Sequence, residues 1–542
     1  MTDRDIAARF RAIADILEIQ GELVFKVRAY RIAADTIDGL EDDELTERHE
    51  AGTLKDLSGF GPAIVSKTSD FLTTGTTAIW ERIKDSVPSG IVQLAGVPGI
   101  GPKTAKSLWE GLKVTTVEEV EQAAHAEKIR ALAGFGAAKE AQLLEKIAAW
   151  RRLNERIPRY RALTIADQVA AELRKIPGVE HVEIGGELRA GCDEIQEVSL
   201  LVVCDILKEP SIREAVELPE FVKLYFSRVD GLGYSQIGLT SSEELYHAID
   251  LESCGITETK ENTASETAVF QALGWPVIPP EIWHWPNIVE LAKAGQLPKL
   301  IEASDMRGEL HEHTVWSDGT GTVREMAEAA LARGYEYLAI TDHSPLVGVA
   351  NGLNRDRLLQ QIEEVHALYD EFAARGLQLL TGQEVDILVD GGLDMDDDLL
   401  AQLDIVVASV HRRYKLDEAA MTARIVRALE NPYVRILGHP TGRLLGTREP
   451  YAIDIDTIVE AAAKHNKALE INSTPERMDL KDEHVKKAKA AGVKISINCD
   501  AHATSGLGDF EWGLAMARRA GLEADDVINT YSWERLQTWL KR

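Results

Sequence analysis

The sequence predicts a multidomain chain: an all-α N-terminal region, a small α+β segment and a C-terminal α/β parallel barrel. Three observations carry this. Residues up to about 150 read as helices joined by a glycine-rich turn that recurs three times. From about Met306 onward, apolar β-branched runs alternate with amphipathic stretches, the pattern of parallel strands joined by helices. Between them, ALTIADQVAAELRKIPGVEHVEIGGELRAGCDEIQEVSLLVV reads as helix, turn, strand and second strand. A length of 542 residues leaves room for several domains.

The N-terminal repeat is LSGFGPAI at Leu57–Ile64, VPGIGPKTAKSL at Val97–Leu108 and LAGFGAAKEAQLL at Leu132–Leu144. Each is an apolar residue, then G-x-G, then the first turn of a helix. Gly59, Gly61, Gly99, Gly101, Gly134 and Gly136 permit a tight turn, and N–H groups at the helix start can hold a phosphate oxygen, with Lys103 beside the second turn. This is the helix-hairpin-helix pattern. One copy can be a turn without a ligand; three at comparable spacing point to a grip on the DNA backbone that does not read sequence.

In the C-terminal half, ELHEHTVWSDG places His311 and His313 two apart, on one face of an extended strand, with Asp318 after a short turn. His343 in TDH, Glu384 in GQEVDIL, His411 in SVH, His439 in GHPTGR, and Asp500 and His502 in NCDAH each fall at or just after an apolar run. Barrel chemistry collects at the C-terminal ends of strands, so these residues are expected at one mouth. Imidazole and carboxylate donors without thiolate suit zinc, manganese or iron, and there are more of them than one ion can use.

Bulk composition bounds the rest. Hydrophobic residues at 45% and charged residues at 27% describe an ordinary soluble globular protein. MTDRDIAARF lacks a signal-type apolar core, and no apolar run approaches a membrane span. Cys192, Cys204, Cys254 and Cys499 show no C-x-x-C spacing and read as reduced thiols of a cytosolic protein. A formal net charge of −29 predicts DNA binding that is weak, salt-sensitive and dependent on local backbone amides and a few cations.

The segment from about Met306 to the C-terminus resembles the PHP (polymerase and histidinol phosphatase) domain, through DMRGELHEHTVWSDGTGTVREMAEAA, AITDHS, GQEVDIL, VVASVH, NPYVRILGHPTGRLLG, LEINSTP and INCDAH in order. The resemblance implies a distorted (β/α)7 barrel with phosphoesterase chemistry and three divalent ions. By position, His311, His313, Glu384 and Asp500 would hold one ion. Glu384 would bridge to a second ion held by His411 and His439, and Asp318, His343 and His502 would hold the third. Glu384 and Asp500 are thus the expected catalytic carboxylates, and Arg443, with Arg412 beside it, is expected to contact the phosphate.

GHPTGRLLG is the version found in bacterial family X DNA polymerases, and the rest of the chain is similar to that family. VFKVRAYRIAADTI resembles the start of its lyase domain, and Lys67 falls where the family can place a Schiff-base lysine. The central segment resembles the polymerase palm, whose Gly-Ser-x-Arg-Arg grip and Asp-x-Asp pair hold triphosphate and magnesium. Here Glu187 stands at the serine, Ala190 at the second arginine, and Glu197 and Ser199 at the aspartates; Arg189 and a third carboxylate, Asp250, are kept. A carboxylate repels the triphosphate, and a serine cannot replace an anionic ligand. The thumb reads as missing or a stub. The expected divisions are 1–85 (lyase-like), 86–155 (fingers-like), 156–260 (degenerate palm), 261–303 (linker and thumb remnant) and 304–542 (PHP).

These readings predict a metal-dependent DNA phosphoesterase that trims 3′ ends or cuts at damaged sites in repair. Its partner is expected to be gapped, nicked or 3′-ended DNA bound without sequence preference, and the protein is expected to be a monomer in the cytoplasm, on the nucleoid. A histidinol-phosphate-type phosphatase and an active polymerase with exonuclease are the alternatives. The hairpins argue against the first, and the palm substitutions against the second.

Overall fold

The computed structural model describes residues 3–38, 40, 44–84, 86–97, 100–250 and 263–541, in two compact units, Met1–Asn154 and Glu155–Arg542. The first unit is helical throughout its described residues. Its core is aromatic and aliphatic, with Phe10 packed edge-on against Phe71 at 5.6 Å and Ile91 and Leu108 fully buried. Helices Pro62–Thr74 and Pro102–Leu112 both begin on a proline after a glycine N-cap, Gly61 or Gly101. Proline's missing N–H is harmless at that position and its fixed φ suits the helix.

The second unit opens with a three-stranded sheet. Strands β2 (Val179–Gly185), β4 (Val198–Cys204) and β5 (Val222–Ser227) lie in that order, with β2 antiparallel and β5 parallel to β4. The central β4 is buried at every residue, which is why VSLLVVC reads as a near-continuous apolar run. A short ribbon of β1 (Ile157–Pro158) and β3 (Glu194–Ile195) flanks it. The region expected to be linker and thumb remnant, 261–303, contains short helices. Helices Glu266–Ala272 and Ile288–Lys293 share a core with Ile237, Leu245 and a fully buried Trp283. Residues 251–262, on which the loss of the thumb partly rests, lie outside the described residues.

The barrel follows. Its strands are β6 (Gly308–Glu309), β7 (Tyr337–Ile340), β8 (Gln378–Asp386), β9 (Ile405–Ser409), β10 (Ile436–Leu437), β11 (Ala468–Asn472) and β12 (Ile495–Asn498). They pair in sequence order, all parallel. The ring nearly closes, for Glu312 bridges Ala501 in parallel and the His313 N–H donates to Ala501 O at 2.9 Å. The C-terminal helix Trp533–Leu540 covers the opposite end of the barrel, where Leu536, Trp539 and Leu540 pack with Leu310, Tyr337, Ile405 and Ile436. Its tryptophans are therefore packing groups. Among the described residues, no helix is long and apolar enough to cross a membrane.

Candidate metal centre

The H-x-H segment is extended, but the strand proper ends at Glu309. His311 and His313 flank the bridging Glu312, with ring centroids 5.3 Å apart. Glu384 lies inside β8 rather than beyond it, and is 1% exposed. Five histidines surround its carboxylate: His343 Nδ1 at 2.8 Å, His439 Nε2 at 3.0 Å, His411 Nε2 at 3.3 Å, His311 Nε2 at 3.5 Å and His313 Nε2 at 3.7 Å. Asp500 Oδ1 lies 3.0 Å from His313 Nε2 and 3.7 Å from His311 Nε2. Asp318 reaches His502 Nε2 at 3.5 Å and His343 Nε2 at 3.6 Å. All nine expected ligands thus converge at one mouth.

Their grouping differs in detail from the expected assignment. Ligand atoms gather as His311, His313 and Asp500; as His343, Glu384 and His411; and as His313, Asp318, His343 and His502. His313 and His343 each serve two groups. His439 touches Glu384 through a hydrogen bond and stands outside these three sets.

The electrostatics suit cations. Burial alone would raise the Glu384 carboxyl, but the histidines, His411 first, hold it well below the ordinary carboxylate range. Asp500 is likewise pulled well down against its burial, chiefly by His311. In return, despite burial, Glu384 lifts His411 to about 10, and the Asp318 hydrogen bond lifts His502 to about 9. His313 goes the other way, to about 3, from burial and its neighbours His502 and His343. Buried atoms without a hydrogen-bond partner include His311 Nε2, both ring nitrogens of His313, Glu384 Oε2 and Nδ1 of His343, His411 and His439. Buried donors and acceptors are ordinarily satisfied. Divalent ions taking imidazole and carboxylate donors would satisfy these, so the residues present fit such a group. His439 (φ 25°) and Asp500 (φ 52°) also hold left-handed backbone, a strain of about 1–3 kcal/mol each that clusters at functional sites.

Four residues that the spacing arguments did not single out complete the site. Glu470, buried on β11, accepts from His311 Nδ1 at 2.7 Å, from the His439 N–H at 2.6 Å and from Asn498 Nδ2 at 2.8 Å. A carboxylate partner on Nδ1 turns His311 Nε2 into the mouth. Asn472 donates to Asp500 Oδ2 at 2.9 Å. Asp386 Oδ1 accepts from the His411 N–H at 3.2 Å, and its Oδ2 lies 3.5 Å from His411 Nδ1. Arg477 Nε lies 3.9 Å from Asp500 Oδ2, and its Nη1 is buried without a partner.

Arg443 is a correction. It is 6% exposed and does not face the mouth, because each of its nitrogens is engaged elsewhere. Nη1 pairs with Asp193 at 2.6 Å, Nε donates to Arg477 O at 3.0 Å, and Nη2 donates to Met478 O. Arg412, though exposed, donates to Leu346 O. Arg477 is the cation that the barrel does direct at the ligands.

Beside the three-stranded sheet, an open cavity of about 800 Å3 is lined by Glu187, Ala190, Glu197 and Ser199 among others. Glu187 pairs with Arg156 at 2.5 Å and accepts from the Gln196 N–H at 2.7 Å. Glu197 Oε1 accepts from Tyr225 at 2.8 Å and from Ser199 at 3.0 Å. Arg189 lines a different pocket and pairs with Glu266 at 2.5 Å.

In the first unit the hairpin glycines are not equivalent. Gly59 has φ 75°, and a Cβ there would sit 2.3 Å from Ile32 Cγ2, so packing alone demands glycine. Gly61 and Gly101 have ordinary φ, and a Cβ would meet nothing within 4 Å, leaving open space before each helix start. Gly134 (φ 84°) and Gly136 (φ 153°) are turn-forming and equally open, and Gly99 lies outside the described residues. Lys103, Lys139 and Lys146 line a groove of about 390 Å3 with Gly134 and no carboxylate. Gly101→Val should therefore fold normally and weaken DNA binding several-fold, as read by fluorescence anisotropy beside a melting curve. Binding equal to the parent's would make this hairpin structural only. Lys67 is half-buried, 5.9 Å over the Tyr30 ring, and burial lowers its pKa, the change a Schiff-base amine needs.

Similarity follows the same division. A Helix-hairpin-helix domain matches residues 1–77, a SAM-like Helix-hairpin-helix tandem matches 91–149, and a PHP domain matches 309–474. The DNA polymerase/3′-5′ exonuclease PolX of Bacillus subtilis (strain 168) is 34% identical over 579 residues, covering 100% of both chains. The chain belongs to the PolX family. A probable phosphatase of Thermoanaerobacter sp. (strain X514) is 34% identical over 235 residues, 41% of this chain and 89% of that one. Histidinol phosphate phosphatase of Lactococcus lactis superposes with a TM-score of only 0.31 at 18% identity, over 40% of this chain and 95% of that one, too little to bear on the site. With a PHP domain and phosphatase relatives, this PolX-family chain is a hydrolase of phosphate esters that binds DNA and metal.

Proposed function

We propose that the barrel cleaves phosphodiester or phosphomonoester bonds at 3′ ends and abasic sites of DNA during repair, while the N-terminal hairpins hold the duplex or its ends. The observation that supports this most is Glu384, a buried carboxylate with five imidazoles within 4 Å. Three zinc, manganese or iron ions, held by His311, His313, Asp318, His343, Glu384, His411, His439, Asp500 and His502, would supply water activation and neutralise phosphate charge. Around them this chain's own groups act. Glu470, Asn472 and Asp386 orient ligands, and Arg477 meets the phosphate beside Asp500. The protein acts as a monomer on gapped, nicked or 3′-ended DNA in the cytoplasm, on the nucleoid. The deciding assay is full-length protein with manganese on single-stranded, nicked, abasic and 3′-phosphate DNA, beside a generic phosphate monoester. Turnover of the monoester alone would favour the small-molecule phosphatase reading, which the phosphatase relatives support.

Nucleotide addition is not part of this proposal. By the family resemblance Glu187 would stand where the triphosphate is gripped and Glu197 and Ser199 where magnesium is held, and all three line the open cavity beside the three-stranded sheet. Primer extension with magnesium or manganese should yield no product; robust extension that depends on Asp250 would overturn this. A lyase step at Lys67 is a separate proposal. Borohydride should trap the chain on abasic DNA, and Lys67→Ala should abolish the adduct.

A further inference from the structure

Asp193 belongs to the palm, in the turn between the short helix Gly186–Arg189 and β3. Its carboxylate nevertheless meets Arg443, four residues beyond His439 in the loop leaving β10 of the barrel. That guanidinium also holds the carbonyls of Arg477 and Met478, in the loop leaving β11. One side chain therefore ties together a palm turn, the His439 loop and the Arg477 loop. A second bond, the Leu445 N–H to Glu476 O at 2.7 Å, links the same two barrel loops. Met478 is held in left-handed backbone (φ 43°), so this loop needs external restraint to keep its shape. Burial would raise the Asp193 carboxyl, but Arg443 draws it below the usual range, so the carboxylate is ionised at neutral pH. Side-chain exposures of 8% for Arg443 and 21% for Asp193 keep the pair from being screened as a surface bridge is.

We propose that Asp193 is a positioning residue of the barrel: through Arg443 it fixes the loop 473–479 so that Arg477 stands beside Asp500 at the substrate phosphate. The palm is then part of the phosphoesterase, whatever its standing as a polymerase. Removing Asp193 leaves Arg443 charged, buried and without its carboxylate, and such a group drags its neighbours toward solvent. This rests on the phosphoesterase reading for its catalytic consequence but not for the clamp itself.

The test uses full-length protein with Asp193→Asn, Arg477→Ala and the double variant. Single-stranded DNA is cleaved with manganese, and amide hydrogen exchange is measured on the same proteins. Asp193→Asn should lower kcat about ten- to a hundredfold, the scale of a misplacement of about 1 Å. It should add little once Arg477 is alanine, because the two act in one chain. A merely structural role would give additive losses. Exchange should rise in residues 441–445 and 473–479 and stay unchanged in the hairpins. If Asp193→Asn does not fold, Asp193→Glu, which keeps the charge and shifts it by one methylene, gives the same comparison at smaller amplitude. Additive losses, or parental rates and exchange in the variant, would overturn the proposal. A parent without phosphoesterase activity would sink the proposed function instead, and exchange alone would then decide the clamp.

Discussion

Replacing Glu384 by glutamine is expected to lower phosphoesterase turnover by roughly a hundred- to a thousandfold, the equivalent of about 3–4 kcal/mol of lost transition-state stabilisation. The substitution preserves size and leaves the barrel core as it is. What it removes is the negative charge at a carboxylate within 4 Å of five histidines. Two dications held by these ligands would repel each other, and the Glu384 carboxylate would offset that repulsion. Glutamine cannot, so metal content should fall with the rate. His439→Ala should be milder: His439 hydrogen-bonds Glu384 but stands outside the three ligand sets, so partial metal content should remain. Elemental analysis beside the rate measures both. DNA binding through the N-terminal hairpins should survive in each variant and so separates a catalytic defect from misfolding. A Glu384→Gln protein with its metals and full activity would sink the shared-carboxylate reading.

Much of this was legible in the chain because parallel strands buried on both faces leave a plain trace. EYLAI, DIVVAS and VKISI are apolar runs followed within three residues by His343, His411 and Asp500, and β7, β9 and β12 lie on them. β11 was harder. Its run, ALEIN, carries a carboxylate and an amide inside the strand, and nothing in the spacing says that Glu470 meets His311, which follows β6, a strand that β11 does not pair with. Arg443 shows another limit. Its place in the GHPTGR loop suggested a phosphate contact, but its partner Asp193 is 250 residues away in sequence, and such pairing leaves no local signature. The hairpins show a third. Gly59 and Gly134 each open a G-x-G turn, yet one meets Ile32 and the other only borders open space. In each case the residue type was readable and its partner was not.

Metal uptake should release protons, and affinity should rise steeply with pH. In the metal-free protein His411 is held at about 10 by Glu384 and His502 at about 9 by Asp318, each against the pull of burial. Both are raised above the ordinary 6.5, so their contribution to stability is complete below 6.5 and is lost as pH climbs through 9 to 10. Glu384 and Asp500 run the opposite way: their stabilisation is present above their ordinary values of 4.5 and 3.8 and disappears only in strong acid. At neutral pH the site is therefore carboxylate paired with imidazolium, and a cation can coordinate only neutral imidazole. His411 and His502 must each shed a proton, whereas His313, at about 3, is already neutral and sheds none. Full loading should release on the order of two protons or more, and affinity for manganese should rise about tenfold per pH unit for each one displaced. Calorimetric titration in buffers of different ionisation enthalpy counts the protons, and repeating it between about pH 6 and 8 gives the slope. His411→Gln should lower the count by about one, since glutamine carries no proton to displace. Metal uptake with no proton release, at an affinity that does not change over that range, would show that these carboxylate–imidazole pairs are not the groups that receive the metal.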